Sequence, residues 1–137
     1  MKIELTNKQF RRLLDLVYIG NWILNSTRGT DRLTDYDDLE SRLFGLCPEH
    51  GMDILCENRG PVALPSQAFA EGGIHEAIMD YEDTVFFEIL AEELAHRDLY
   101  AYGEIADPEE LATRINAYIT EFEENGLSNI LVDADLS

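Results

Sequence analysis

The stretch IHEAIMDYEDTVFFEILAEELAHRDLY, from Ile74 to Tyr100, decides the fold. At about 100° per residue, its apolar side chains fall on two opposite sides of a helix. One side carries Ile74, Ile78, Tyr81, Val85 and Ile89, and the other carries Phe86, Phe87, Leu90, Ala91 and Leu94. A helix that is apolar nearly all round is usually packed by neighbours on more than one side. The sequence therefore predicts a long central helix over 74–100.

Two further helices are predicted before this one from their start and stop signals. Thr6 and Gln9 fit a capping box, which predicts a first helix from there to about Arg28. Thr34 repeats the cap signature, and Pro48 should end the second helix. Together with the central helix, these elements favour a mainly helical domain.

A last helix is predicted after a turn at Tyr102-Gly103-Glu104. Asp107 fits an N-cap and Pro108 fits the first helical position, while Gly126 suits the left-handed backbone past a helix end. The fold class predicted is thus about four helices around the helix over 74–100.

Three segments have less regular patterns. Residues 2–5 and 129–133 alternate or cluster β-formers, so the two termini can form a small strand pair. Residues 52–56 fit either a strand or a helical turn, because five residues show no decisive period. Residues 59–73 carry two prolines and three glycines, which predicts a long loop, with Ser66 as a cap for one helical turn. Such a loop either packs on the core or binds a partner.

Length and composition indicate one soluble domain over residues 1–137. A chain of 137 residues with 45% hydrophobic content can bury a proper core. It has no apolar run of bilayer length, and its first residues lack the layout of a secretion signal. We therefore expect a cytoplasmic protein without membrane contact. Its two cysteines, Cys47 and Cys56, are expected to be free thiols.

The charge is the strongest compositional feature. Ten basic side chains against 28 acidic ones give a net charge of −18, and from Gly60 onward 18 carboxylates face only Arg97 and Arg114. Such a surface repels phosphate, which argues against nucleic acid and anionic membranes as partners. A basic protein partner is more plausible. Acidic surfaces also favour solubility, so the charge by itself does not require a docking role.

A polar cluster continues the apolar stripe of the central helix. Glu88, Glu92 and His96 are spaced four residues apart and project from one side. Di-metal helical bundles use two Glu-x-x-His motifs, whereas this chain has one, at Glu93 and His96. A structural pair between Glu92 and His96 is therefore favoured over a metal site, although a homodimer would supply a second motif.

A second candidate cluster lies on the first helix. It comprises Tyr18, Asn21, Trp22, Asn25 and Arg28. Aromatic and polar groups together can line a small-molecule pocket or anchor a protein interface. The alternative is an internal hydrogen-bond network, in which Arg28 pairs with a carboxylate.

No motif indicates a cofactor. Cys47, His50 and Cys56 resemble zinc spacing, but a structural zinc needs four ligands and no second close pair follows. A buried cysteine and a surface histidine are favoured instead. Gly72-Gly73 lacks the lysine and hydroxyl residue of a phosphate loop. We predict no bound metal and no cofactor.

Three stretches, LLDLVYIGNW (13–22), FFEILAEELAHRDL (86–99) and FEENG (122–126), resemble a family of small acidic bacterial proteins of unassigned function. The likeness covers most of the chain in layout. It implies a bacterial cytoplasmic protein and carries no activity with it. Relatives often have an acidic residue at the place of Asn21 and tryptophan at the place of Phe87, so the resemblance gives Asn21 no catalytic role.

The function predicted from the sequence is a non-catalytic interaction module. Its acidic second half would bind a basic partner or a second copy of the chain. The alternative is a small enzyme that uses Glu92 and His96 as metal ligand or general base.

Overall fold

The computed structural model describes residues 1–100 and 107–137. Its contacts cluster into two compact units, Met1–Met79 and Asp80–Ser137. The predicted mainly helical class is confirmed, and the single domain stays a prediction. Within the described residues the helices are α1 (Asn7–Asn25), α2 (Thr34–Phe44), the short α3 (Gln67–Phe69), α4 (His75–Tyr100) and α5 (Pro108–Asn125). The turn predicted at 102–104 lies outside the described residues. None of the described helices has both the length and the apolar character needed to cross a bilayer.

Helix α1 starts at the predicted capping box. The Gln9 backbone N–H donates to Thr6 Oγ1 at 3.2 Å, and the Thr6 N–H donates to Gln9 Oε1 at 2.9 Å. The helix ends at Asn25, three residues before the predicted end at Arg28. The Asn25 side chain binds the backbone of Leu33, which returns the chain toward the helix.

Helix α2 starts at Thr34, whereas a cap at Thr34 would start the helix one residue later. Leu33 occupies the cap position, and the Thr34 side chain makes no capping hydrogen bond, so the predicted Thr34 cap is wrong. Asp35 and Asp37 lie in the first turn, where carboxylates favour the positive end of the helix dipole. The helix ends at Phe44, before a single 3₁₀ turn at Pro48–His50.

The segment predicted as a long loop at 59–73 is largely structured. Strands β1 (Cys56–Arg59) and β2 (Val62–Pro65) form an antiparallel hairpin, with Cys56 opposite Pro65 and Arg59 opposite Val62. Ser66 then caps α3, as predicted, by accepting from the Phe69 N–H at 3.2 Å. The open choice at 52–56 resolves into a 3₁₀ turn over Asp53–Leu55 followed by the first residue of β1.

The strand pair suggested for the two termini does not form among the described residues. Residues 2–5 and 129–133 have no strand structure. Their apolar side chains are mostly exposed, with Ile3 at 70% and Leu131 at 91%. Without a buried face, four or five β-forming residues gain too little to hold a register.

The core of Met1–Met79 is formed by α1, α2 and the hairpin. The Phe44 and Phe69 rings meet edge to face, with 4.9 Å between centroids, and the Arg11 guanidinium lies 4.7 Å from the Phe69 ring centre. The buried cluster consists of Phe10, Leu14, Phe44, Cys47, Ala63 and Phe69. These side chains fix the crossing of α1 and α2, which positions the candidate site.

A kink separates α3 from α4. Residues 70–74 form one π-helical turn, inside which Gly72 and Gly73 leave helical geometry. Gly73 has φ of +106°, a conformation that residues with a Cβ rarely adopt. Glycine at this position therefore lets α4 start in a new direction.

In Asp80–Ser137, α4 and α5 run antiparallel. Phe87 packs against Phe122 with 5.6 Å between ring centroids, and toward the other end the Tyr118 hydroxyl donates to Asp98. Ala91 and Ala95 are fully buried. These small side chains suit close packing along one side of α4.

The predicted length of α4 is confirmed, and several of its apolar side chains are exposed. Tyr81 is 62% exposed, Phe86 48% and Ile89 53%. At 100° per residue, Phe86 and Ile89 lie on the side of the helix opposite Ala91 and Ala95. The strip of α4 that faces outward therefore combines Ile89 of the first predicted side with Phe86 at the edge of the second, and Ala91 of the second side is buried.

Candidate functional site

A small open cavity lies between α1 and α2, within Met1–Met79. Its volume is about 240 Å³. The first helix and its end contribute Tyr18, Asn21, Trp22 and Ser26, and the following segment contributes Arg32 and Glu40. Helix α2 begins directly after a tight return of the chain, so side chains of both elements reach the same cavity.

Two asparagines of α1 form the floor of this region. Asn25 is 1% exposed and donates to Asn21 Oδ1 at 2.6 Å and to the Leu33 carbonyl at 3.0 Å. Its own carbonyl oxygen accepts from the Leu33 N–H at 2.8 Å. Asn21 in turn donates to Asp37 Oδ1 at 3.0 Å. As a buried amide, Asn21 needs specific hydrogen-bond partners, and Asn25 and Asp37 provide them.

Arg32 forms a two-pronged contact with Asp37. Its Nε donates to Oδ2 at 2.6 Å and its Nη2 donates to Oδ1 at 2.7 Å. The hydrogen bonds from Arg32 and from Asn21, with the nearby guanidinium charge, hold the pKa of Asp37 below its usual value. Asp37 therefore stays ionised and compensates the charge of Arg32.

Glu40 is the second carboxylate of the site, and its surroundings differ. Its side chain is half-buried, and among the described residues it forms no ion pair. Burial raises the pKa of Glu40, and the negative charge of Asp37 adds to this effect, while Asn21 and Arg32 oppose it. The cavity therefore contains a desolvated acid without a paired base.

Aromatic rings form the opposite wall. The Tyr18 and Trp22 rings are nearly parallel, at 21°, with 6.3 Å between centroids. Tyr18 Oη and His75 Nε2 share a hydrogen bond of 2.5 Å, and the His75 ring meets the Trp22 ring edge-on at 4.8 Å. Burial, followed by the charge of Glu40, raises the pKa of the Tyr18 hydroxyl. The phenol thus stays protonated at neutral pH.

The structure brings most of the predicted first-helix cluster together. Tyr18, Asn21 and Trp22 line the cavity, and Asn25 supports it from below. Arg28 does not join them, because it pairs with Asp31 at 3.0 Å and donates to the Leu24 carbonyl at 2.7 Å.

Sequence reasoning missed Arg32, Asp37, Glu40 and His75 as members of this site. Asp37 and Glu40 share a helix flank through their three-residue spacing, which was an available signal. His75 lies 57 residues beyond Tyr18, and no local pattern indicates their contact.

The three side chains of the polar cluster predicted on the central helix have different surroundings in the structure. Glu88 borders a hollow of about 310 Å³ between α4 and α5, Glu92 is exposed, and His96 stacks on Tyr100 with 5.1 Å between ring centroids. Both Glu92 and His96 belong to the described residues, and no hydrogen bond or ion pair joins them there. Over residues 1–100 and 107–137, no three acidic, cysteine or histidine side chains converge as a metal site would require.

The cysteine region has the features of a packed core edge. Cys47 is fully buried, and burial beside Cys56 raises the pKa of its thiol to about 11. His50 lies near Asn7 Oδ1 at 3.2 Å and over the Phe10 ring at 4.6 Å. Both cysteines are free thiols, and the Cys47 thiol stays protonated at neutral pH.

A different surface is present on α4, within Asp80–Ser137. Glu82, Phe86, Ile89 and Glu93 are spaced four, three and four residues apart, and all four are exposed. We refer to these four residues as the acidic-apolar face. At helical spacing they form one continuous line in which two apolar side chains lie between two carboxylates.

No family model, no curated protein and no solved structure matches this chain. The resemblance seen in the three sequence stretches therefore stays a prediction. Function is inferred from the chemistry of the cavity between α1 and α2 and of the acidic-apolar face.

Proposed function

We propose that the chain is a protein-interaction module whose acidic-apolar face binds a basic amphipathic helix of a partner protein. The observation that carries the proposal is the exposure of Phe86 and Ile89, each about half exposed between Glu82 and Glu93. Exposed apolar side chains in a row are typical of an interaction surface rather than of an ordinary solvated one. Helix-in-groove and helix-on-helix recognition use anchors at this spacing.

The charge of the surrounding unit supports a basic partner. Asp80–Ser137 contains 16 acidic residues against Arg97 and Arg114. Both arginines contact Asp98, Arg97 at 2.8 Å and Arg114 at 3.9 Å. The two positive charges are therefore placed at one carboxylate, and the rest of the acidic surface attracts cations. Such a field accelerates encounter with a basic protein and selects against acidic ones.

The same charge disfavours self-association through this face. A second copy related by two-fold symmetry would place Glu82 and Glu93 near the same carboxylates of the first. Like charges brought together across an interface oppose binding. A partner helix with lysine or arginine flanking apolar residues fits both features of the face.

Calorimetric titration with a synthetic amphipathic peptide, in which lysines flank leucines at helical spacing, tests this proposal. We expect binding at low salt that weakens as NaCl rises, because the charges on both surfaces are exposed and screened. The double variant Phe86→Ala, Ile89→Ala should bind about tenfold more weakly, because it removes the apolar contact area. The matched control is Ile54→Ala, which changes an exposed apolar side chain of the other unit.

Two results would overturn the proposal. One is equal binding of a peptide in which glutamate replaces every lysine. The other is unchanged affinity of the double variant, which would place binding elsewhere on the chain.

A further inference from the structure

We propose that the cavity between α1 and α2 binds an alkylammonium group, with Glu40 as counter-ion and the Trp22 and Tyr18 rings as walls. This site lies within Met1–Met79. It is independent of the proposed function, which depends on residues of Asp80–Ser137.

The aromatic wall is suited to a cation. Trp22 and Tyr18 line the same cavity, and their ring planes are nearly parallel. The π face of an aromatic ring attracts an ammonium group within about 6 Å of the ring centroid, and tryptophan does so most strongly. The apolar stem of an alkylamine can pack on the same rings, so one ligand uses both properties of the wall.

The charge balance of the cavity selects a cation over an anion. The Arg32 guanidinium is already bound by Asp37 through two hydrogen bonds. Glu40 lines the cavity, and no cation pairs with it among the described residues. The three charged side chains Arg32, Asp37 and Glu40 carry a net charge of −1 when both carboxyls are ionised. A bound ammonium would neutralise that charge.

The burial of Glu40 also favours a cationic ligand. Burial raises the pKa of this carboxyl, so keeping the group ionised without a cationic partner costs free energy. A carboxylate kept at a site that disfavours its charge is typical of a group with a binding role. An ammonium ligand would supply the missing partner and lower that pKa.

The size of the cavity limits the ligand. A volume of about 240 Å³ is below the usual range of drug-sized pockets, roughly 300–1,000 Å³. It suits one short alkylamine chain. That chain can belong to a free amine or to a lysine side chain of a protein, and the two share the same chemistry.

The single tryptophan of the chain makes the test specific. Trp22 lines the cavity, so its fluorescence reports occupancy without a label. Three ligands of equal chain length, n-butylamine, n-butanol and butyrate, are titrated separately into the full-length protein. We expect a saturable change in fluorescence with the amine and none with the alcohol or the acid.

Variants locate the binding. Glu40→Gln keeps the shape of the side chain and removes its charge, and it should weaken amine binding about tenfold or more. Glu49→Gln is the matched control, because it removes one exposed carboxylate outside the cavity and should change nothing.

The source of the amine is then separated with peptides. A neutral peptide with one lysine is compared with its norleucine counterpart and with n-butylamine. Tighter binding of the lysine peptide than of the free amine assigns the site to a protein ligand, and the reverse assigns it to a free amine. Both results support an ammonium site. Equal responses to amine, alcohol and acid, or full binding by Glu40→Gln, would overturn it and would leave the test of the acidic-apolar face unaffected.

Discussion

Glu40 sits where its charge is costly, which leads to a stability prediction. Burial raises its folded-state pKa above the unfolded value of about 4.3. Between these two pKa values the folded chain binds more protons, so stability falls as pH rises through that window. At neutral pH, Glu40→Gln should therefore increase the free energy of unfolding by roughly 0.5–1 kcal/mol. Urea unfolding of both proteins at pH 7 measures the difference.

The pH dependence identifies the cause of that gain. Below the unfolded pKa the wild-type glutamate is protonated in both states, so the advantage of Glu40→Gln should disappear there. The exposed Glu49→Gln should show little gain at either pH. A gain for Glu40→Gln that is equal at acid and neutral pH would mean that packing, and not charge, explains it.

Asn25 joins α1 to the start of α2 through two hydrogen bonds with Leu33. Its side chain is buried, donates to the Leu33 carbonyl and accepts from the Leu33 N–H. Asn25→Ala would leave buried polar groups without partners and should cost about 2–3 kcal/mol of unfolding free energy. Chemical denaturation measures the loss. Asn116→Ala removes an exposed amide from α5 and should cost far less. Similar losses for the two variants would show that the Leu33 contacts contribute little.

Residue identity indicated part of the candidate site and could not indicate the rest. An amide such as Asn21 on the packed side of a helix needs a hydrogen-bond partner, and Asp37 is one such partner. The side chains Tyr18, Asn21 and Trp22 share one helix, so their proximity follows from local geometry. Glu40 and His75 reach the same region only because α2 and the start of α4 pack near α1 in this fold. Their positions near α1 are a tertiary property that local spacing does not encode.

At the scale of elements, the kink before α4 depends on one glycine. Gly73 has φ of +106°, and a side chain there costs about 1–2 kcal/mol of backbone strain. Gly73→Ala should therefore lower the thermal midpoint. Gly20 is helical, and a Cβ at that position would meet no atom within 4 Å. Gly20→Ala should instead stabilise by about 0.5–1 kcal/mol.

Circular dichroism melts of the two variants check this pair, since both make the same chemical change. Opposite shifts in midpoint are expected. If both variants shift the midpoint in the same direction, the left-handed backbone at Gly73 does not limit stability.

Elements with strong end signals were predictable, and elements stabilised by tertiary contacts were not. The capping box at Thr6 and the cap at Asp107 act within four residues, so the sequence contains the whole cause. The loop predicted over 59–73 overlaps the hairpin, because strands of four residues with little alternation give a weak sequence signal. Its β2 strand contacts α2, where the Ala63 N–H donates to Ser41 Oγ at 3.1 Å. That contact joins residues 22 apart, beyond the reach of periodicity.

At the scale of the whole molecule, the net charge of −18 acts on stability as well as on binding. Like charges repel more strongly in the compact state, and salt screens them over about 10 Å at 0.1 M. The repulsion is concentrated in Asp80–Ser137, where the acidic residues greatly outnumber the basic ones. Added NaCl should therefore raise the thermal midpoint of the protein.

Two double variants of α5 separate this repulsion from the helix dipole. Glu109→Gln, Glu110→Gln and Glu123→Gln, Glu124→Gln each remove two carboxylates, the first pair from the start of the helix and the second from its end. Both should reduce the salt response of the midpoint by a similar amount, because each lowers the net charge equally. The dipole favours acids at the start and opposes them at the end, by about 0.3–1 kcal/mol each. At low salt the 123/124 variant should therefore melt higher than wild type, and the 109/110 variant should melt below the 123/124 variant. Equal midpoints for the two variants would leave net charge as the only electrostatic effect on α5, and an unchanged salt response in both would place the repulsion outside this helix.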